Sequence, residues 1–261
     1  MNVKTFVVPL DCSELSERAL PIAEAMAARV GGGLLLVSAQ FHGPLDPHEY
    51  LDEQTTRITH CPVDISPTKH EHAAAAITGA LEGSDDRILC MTTHGRGSFR
   101  WAAVGSVAEE VMLKTDRPVL LIGPHCHADA LERGTHLLVC ADHAEAAAGL
   151  APAVHEWAER LDLRPRVAVA VHPIDVESAE HSDVVLGPLA QALGMPNTDE
   201  AELLRATYVT GALADYAADL PAALIAINSH ARSGIRRFAL GSETMAVVHL
   251  APCPVLVVHT L

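Results

Sequence analysis

The chain has 261 residues, 49% of them hydrophobic and 20% charged, a globular composition long enough for two domains that each bury a core. Its 33 acidic residues against 18 basic give a formal charge of −15, which repels a phosphate backbone at long range and argues against nucleic-acid binding, though not against a small anionic ligand. No apolar run reaches the about 20 residues of a membrane span, and the opening MNVKTFVVPLD has no signal-peptide layout, so a cytoplasmic location with no membrane partner is expected.

Thr5 to Leu10, TFVVPL, is a short β-branched run that predicts a buried strand. Ser13 is the expected N-cap of a helix through SELSERALPIAEAMAARV, which Gly31-Gly32-Gly33 stops. A second buried strand is expected at Leu34 to Ala39, then a long loop from about Gln40 to Thr55 marked by Pro44 and Pro47. A weaker strand follows at Val63 to Ser66, an alanine-rich helix at His70 to Leu81, and a strand at Arg87 to Thr92. After a loop at Thr93 to Arg100, Ser106 opens a helix through Lys114, and Val119 to Ile122 is the closing strand.

The second half repeats this order. It has strands at His136–Cys140 and Val167–Val171, a helix from His143 and a long middle segment marked as loop-rich by Pro196 and Asn197. A strand at Leu224–Asn228, a loop, a helix and a strand at Val255–His259 complete it. THGRGSFRWAAVGS at Thr93 returns as SHARSGIRRFALGS at Ser229; Gly105-Ser106 and Pro118 recur as Gly241-Ser242 and Pro254, all at an offset of 136. The openings VVPLDCS and LVCADHA place Asp11 and Asp142 at an offset of 131. Two segments held at nearly constant spacing across half a chain mark a duplicated domain, with units at 1–127 and 134–261. Alternating apolar strands and helices predict parallel α/β sheets.

The shared phrases follow strands one and four of each half, and open parallel sheets bind ligands beyond the carboxyl ends of strands where crossovers diverge. There the closely spaced Gly95 and Gly97 free a turn from Cβ atoms and allow positive φ, and nine residues separate Gly95 from Gly105-Ser106. Ser106 opens a helix whose amides favour phosphate, Arg96 and Arg100 add charge, and Asp11 can accept from a ribose or an adenine amino group. Neither a Walker motif nor GxGxxG after strand one is present. The same residues also admit a purely structural account: Ser106-Val107-Ala108-Glu109 has the form of a capping box, and Asp11 of a residue bonding its own loop. The six cysteines form no CxxC pair and suit small apolar core positions. His125-Cys126-His127 reads as linker rather than metal site, Cys12 as a small residue under its loop, and His94 and His230 as loop-fixing. No catalytic constellation and no metal site is expected.

VVPLDCSELSERALPIAEAMA, MTTHGRGSFRWAAVGSVAEEV and RPVLLI together resemble the universal stress protein family, with the chain covered as two tandem family domains. The resemblance implies a doubly wound, flavodoxin- or Rossmann-like fold in each half, a five-stranded mainly parallel sheet of order 3-2-1-4-5. It also implies an ATP site carrying Gly-2x-Gly-9x-Gly-Ser/Thr, with Mg2+ as a possible companion. Carried onto this chain, the nucleotide-binding residues are Pro9, Leu10, Asp11, Ala39, Met91, Thr92, Gly95, Arg96, Gly105, Ser106 and Val107, with Thr92 where the family has its first glycine. The second half offers Ala141, Asp142, Asn228, Arg232, Gly241 and Ser242, with Asn228 and Ala231 at the two early glycine positions. The family further implies a stress-response protein using the nucleotide as a regulatory ligand, mainly in the first half, with slow ATP hydrolysis or a ligand-free scaffold as alternatives. An intramolecular pseudo-dimer through the last strands and a homodimer are the expected partners.

Overall fold

The computed structural model describes residues 4–38, 46–68, 72–93, 105–173, 182–195, 198–229 and 241–259. The chain divides into two compact units, Met1–Pro124 and His125–Leu261.

The first unit runs β1 (Thr5–Leu10), α1 (Glu14–Glu17), α2 (Ala19–Val30), β2 (Gly33–Ser38), α3 (Pro47–Thr55), β3 (Val63–Ser66), α4 (Ala73–Glu82), β4 (Arg87–Thr92), α5 (Ser106–Lys114) and β5 (Val119–Ile122). Its strands lie in the order β3-β2-β1-β4-β5, every pair parallel. Successive strand side chains point to opposite faces, so the unbroken burial of Phe6 to Leu10 and of all of β5 requires cover on both sides. Helices α2 and α4 both pack on β1, β2 and β4.

The second unit runs α6 (Ala130–Arg133), β6 (His136–Cys140), α7 (Ala144–Leu161), β7 (Arg164–Val171), α8 (Ser182–Ala192), β8 (Ala201–Arg205), α9 (Val209–Asp219), β9 (Ala222–Ser229), α10 (Ser242–Leu250) and β10 (Val255–His259). Its order is β8-β7-β6-β9-β10, again all parallel. Trp157 of α7 is the largest of its fully buried side chains, and α7 packs on α8 and on β6, β7 and β9. Each unit is therefore a doubly wound α/β fold with the 3-2-1-4-5 order.

Local chemistry explains the expected boundaries. Ser13 accepts the Ser16 amide and caps α1, and Gly31 ends α2 in the left-handed region at φ 66, where a Cβ would be strained. The expected single first helix is two: Pro21 removes the amide that would bond back to Glu17, and the chain turns at Arg18.

Two expected loops are corrected. Residues 47–55 form α3, because Asp46 caps the His48 amide and Pro47 stands at the first helical position, where a missing amide costs nothing. The middle of the second half holds α8, a 3-10 turn at Thr198–Glu200, β8 and α9, with Pro188 accommodated inside α8. The stretch between the repeats, expected as linker, carries α6, whose Leu131 is buried and which packs on β9. No helix among the described residues is long and apolar enough to cross a membrane.

Candidate functional site

In the order 3-2-1-4-5 the crossovers diverge between the first and fourth strands, which makes the edge between β1 and β4 the candidate site. The β1–β4 ladder runs only from Thr5 opposite Arg87 to Val7 opposite Leu89, whereas β1–β2 pairing continues to Leu10 opposite Ser38. Pro9 has no amide to donate, so the two central strands part company before their carboxyl ends. Continuing the register sets Leu10 level with Thr92 and Asp11 level with Thr93. The second unit differs here: Cys140 stands where the first has Pro9, and β6–β9 pairing continues through Cys140 opposite Ile227.

One lip of this opening is the loop after β1. Asp11 Oδ1 accepts from the Ser13 amide at 3.0 Å and the Ser13 hydroxyl at 2.5 Å, the Asp11 amide donates to Ser16 Oγ, and Ser16 Oγ donates back to the Ser13 carbonyl. Asp11 thus bonds its own loop, as one of the two sequence accounts allowed. Its second carboxylate oxygen has no partner among the described residues. Cys12, between them, holds φ 64, a left-handed conformation uncommon for a residue with a Cβ. The missed helix α3 borders this lip. Tyr50 is buried and donates to Glu17 Oε1 at 3.0 Å, and Arg57 bonds Glu17 Oε2 and Gln54. Burial and then the Glu17 carboxylate hold the Tyr50 hydroxyl far above its ordinary pKa, so it keeps the proton it donates to Glu17.

The other lip is the end of β4. The Thr93 amide bonds the Ile122 carbonyl of β5, and the Gly105 amide bonds the Thr93 carbonyl at 2.8 Å, closing the base of the intervening loop and aiming the start of α5 at the strand end. Gly105 is the N-cap and Ser106 the first helical residue, so the capping box expected to lead from Ser106 is not made: the N-cap position falls one residue earlier, on a glycine with no side chain. Gly105 has φ −58, as does Gly241 in the second unit, so neither glycine is there for a positive φ. A Cβ added at Gly241 would meet nothing within 4 Å among the described residues. Both glycines precede helix amides that have no intrahelical partners.

Of the expected residues, Asp11, Thr92, Gly105, Ser106 and Val107 gather at this edge with some exposure. Pro9, Leu10 and Met91 are there too but buried, which leaves them only backbone contacts to offer. Ala39, Gly95, Arg96, Arg100, His94, His230, Ala231 and Arg232 lie outside the described residues. Sequence reasoning missed Arg18 and Leu15, which line a shallow recess with Thr92, Thr93, Ile122, Gly123 and Pro124; Arg18 bonds the Pro124 carbonyl at 2.9 Å. Their helical surroundings gave no sign that they border a loop tip.

The second unit puts its counterparts to other uses. Asn228 is 3% exposed and its side-chain amide donates to the Ala146 carbonyl of α7, while its backbone carbonyl accepts from the Thr244 hydroxyl. Asp142 pairs with the neighbouring His143 at 2.5 Å. Ala141 is buried, and Gly241 and Ser242 are exposed at the start of α10. No group of three or more potential metal ligands occurs among the described residues.

The sequence model of the Universal stress protein family matches residues 134–259. The fold is similar to that of a candidate universal stress protein of Pseudomonas aeruginosa UCBPP-PA14, at 16% identity and TM-score 0.71 over 98% of this chain and 93% of that one. It is similar also to a universal stress protein of Archaeoglobus fulgidus DSM 4304, at 17% identity and TM-score 0.66 over 99% of both chains. A cytoplasmic domain of a prokaryotic cation chloride cotransporter shares the fold more distantly, at 13% identity and TM-score 0.54 over 98% of this chain and 95% of that one. No curated protein matches the sequence. Residues 134–259 are thus a universal stress protein domain, and the first half, with the same strand order, fits a second domain of the same kind.

Proposed function

We propose that this protein binds ATP or a related adenine nucleotide as a regulatory ligand, through its first unit, in the cytoplasm. The observation that carries the reading is the early end of the β1–β4 ladder at Val7–Leu89, which opens a gap between a carboxylate lip and an uncapped helix start. The residues fit the ligand's chemistry. Asp11 keeps one oxygen for a hydroxyl or amino donor, and the first amides of α5 with the Ser106 hydroxyl suit a phosphate. Arg96 and Arg100 supply cationic partners, and Mg2+ would accompany a triphosphate. The second unit serves instead as a scaffold: Asn228 is committed to Ala146, and the β6–β9 ladder stays closed through Cys140.

Calorimetric titration of nucleotide-stripped protein with Mg-ATP tests this. One site per chain is expected, abolished by Gly105→Trp and retained by Gly241→Trp, because only the first indole fills an occupied space. Two sites would overturn the asymmetry between the units. No heat with ATP, ADP, AMP or a cyclic nucleotide would remove the ligand reading and leave the scaffold. Phosphate followed in the same samples reports slow hydrolysis, which should fall in Ser106→Ala if it occurs at this site.

A further inference from the structure

We propose that Cys126 and Cys253 are a dithiol pair that a hydroperoxide converts to a disulfide, fastening the segment before α6 to the corner between α10 and β10. Both are thiols in the structure and both are buried, Cys253 at 0% exposure and Cys126 at 6%. What joins them is a hydrogen bond from the His127 amide to the Pro252 carbonyl, at 2.9 Å. The bonded amide belongs to the peptide group leaving Cys126, and the bonded carbonyl to the peptide group entering Cys253. Each cysteine Cα is therefore attached directly to one of the two bonded peptide planes. Standard bond lengths then cap the Cα–Cα separation at about 8 Å, a limit that takes in the whole range of about 4.4–6.8 Å that disulfides span.

The surroundings hold this juxtaposition in place. Cys253 stands between Pro252 and Pro254, whose fixed φ angles stiffen the corner, and the Pro254 carbonyl accepts the Ile225 amide of β9. On the other side, α6 packs on the same strand, and the Cys126 thiol is 3.7 Å from the His127 carbonyl. Burial and then the electrostatic proximity of Cys126 and Cys140 keep the Cys253 thiol protonated well above its ordinary range. Cys140 is the poorer partner by register. It ends β6 opposite Ile227 at the carboxyl edge, whereas Cys253 precedes β10, whose first residue Val255 lies opposite Ile225.

The chemistry divides the roles. Cys126, the more exposed, attacks as thiolate on one peroxide oxygen; the O–O bond breaks, leaving a sulfenic acid on Cys126 and, after proton uptake, water or an alcohol. The Cys253 sulfur then attacks the Cys126 sulfur, the S–S bond forms, and the departing hydroxide takes the Cys253 proton as water. Two thiols lose two electrons in all, and the hydroperoxide gains them. Burial makes the Cys253 thiol inert on its own and leaves it reactive only toward the oxidised sulfur beside it.

The test treats the full-length chain with hydrogen peroxide, quenches in acid, alkylates under denaturing conditions and maps non-reduced peptides by mass spectrometry. A Cys126–Cys253 cross-linked peptide is expected, lighter by two hydrogens, lost on treatment with dithiothreitol and absent from Cys126→Ser. The oxidised chain should also melt above the reduced one, since the link closes a very long loop. Three outcomes would overturn the pairing: Cys253 fully alkylated while Cys126 has gone on to sulfinic acid, Cys253 linked to Cys140, or no change in either thiol. If Cys126→Ser does not fold, the map of the unsubstituted chain still decides.

Discussion

Glu24 shows how a single side chain ties two elements together. From α2 its Oε1 accepts the Thr59 amide at 2.6 Å, the His60 amide at 2.8 Å and His60 Nδ1 at 3.0 Å, fixing the turn between α3 and β3. Burial works against the carboxylate, and the two backbone amides followed by His60 outweigh it, so its pKa is lowered from 4.5. The sign follows from linkage: a carboxyl that is more acidic folded than unfolded stabilises the fold above its unfolded pKa and loses that contribution as pH falls through the folded value. Glu24→Gln removes the charge but keeps one acceptor. Chemical denaturation should therefore show a loss of about 1 kcal/mol at neutral pH, shrinking to nothing once the pH is well below 4.5. A deficit that stays constant with pH would mean that amide packing, rather than charge, is what the glutamate supplies.

At the scale of the element, one proline decides whether a crevice opens. Pro9→Val restores an amide and a β-branched side chain to β1, letting the ladder to β4 continue as β6 does beside β9. A strand hydrogen bond contributes about 1 kcal/mol net. If binding must reopen it, Mg-ATP affinity should fall by about fivefold, while the denaturation midpoint rises. Unchanged affinity in a stabilised variant would detach the ligand from the strand gap. The five strands of the first unit were legible in the sequence almost to the residue, because buried parallel strands are continuous apolar runs, whereas β8, with its exposed and charged AELLR, was not.

The missed elements share a different cause. Pro47 is a loop signal by residue type, and Pro188 and Gly211 share the segment that Pro196 and Asn197 mark as loop-rich, yet Pro47 starts α3, Pro188 sits within α8 and Gly211 within α9. Such residues lower helix propensity without forbidding a helix that tertiary packing supports. The lips of the site were legible as motifs, but their working was not. Spacing located Gly105 without revealing that its φ is ordinary. For Asp11 the sequence offered both a ligand contact and a bond to its own loop, and it took the structure to show that one oxygen is spent on Ser13. Nor could the Pro9–Cys140 difference be weighed before the two ladders were compared.

For the molecule as a whole, the formal charge of −15 sets a field that an anionic ligand must enter. The contacts proposed for its phosphates act over a few ångströms: helix amides, the Ser106 hydroxyl and arginines. The repulsion is the sum of many distant carboxylates. These two parts respond to salt differently, because the Debye length falls from about 30 Å at 0.01 M to about 8 Å at 0.15 M, which removes the distant part and leaves much of the near one. Mg-ATP binding should therefore hold steady or tighten as salt is raised over that range, the reverse of the usual weakening for a phosphate ligand. Adenosine, uncharged, should show no trend, and the difference between the two isolates the field from any effect of salt on the fold. Titration of both ligands across the series measures it. Affinity for Mg-ATP that drops tenfold while adenosine stays level would mean that local positive charge on the loop after β4 outweighs everything else the chain carries, and that Arg96 and Arg100 rather than backbone amides dominate the phosphate contacts.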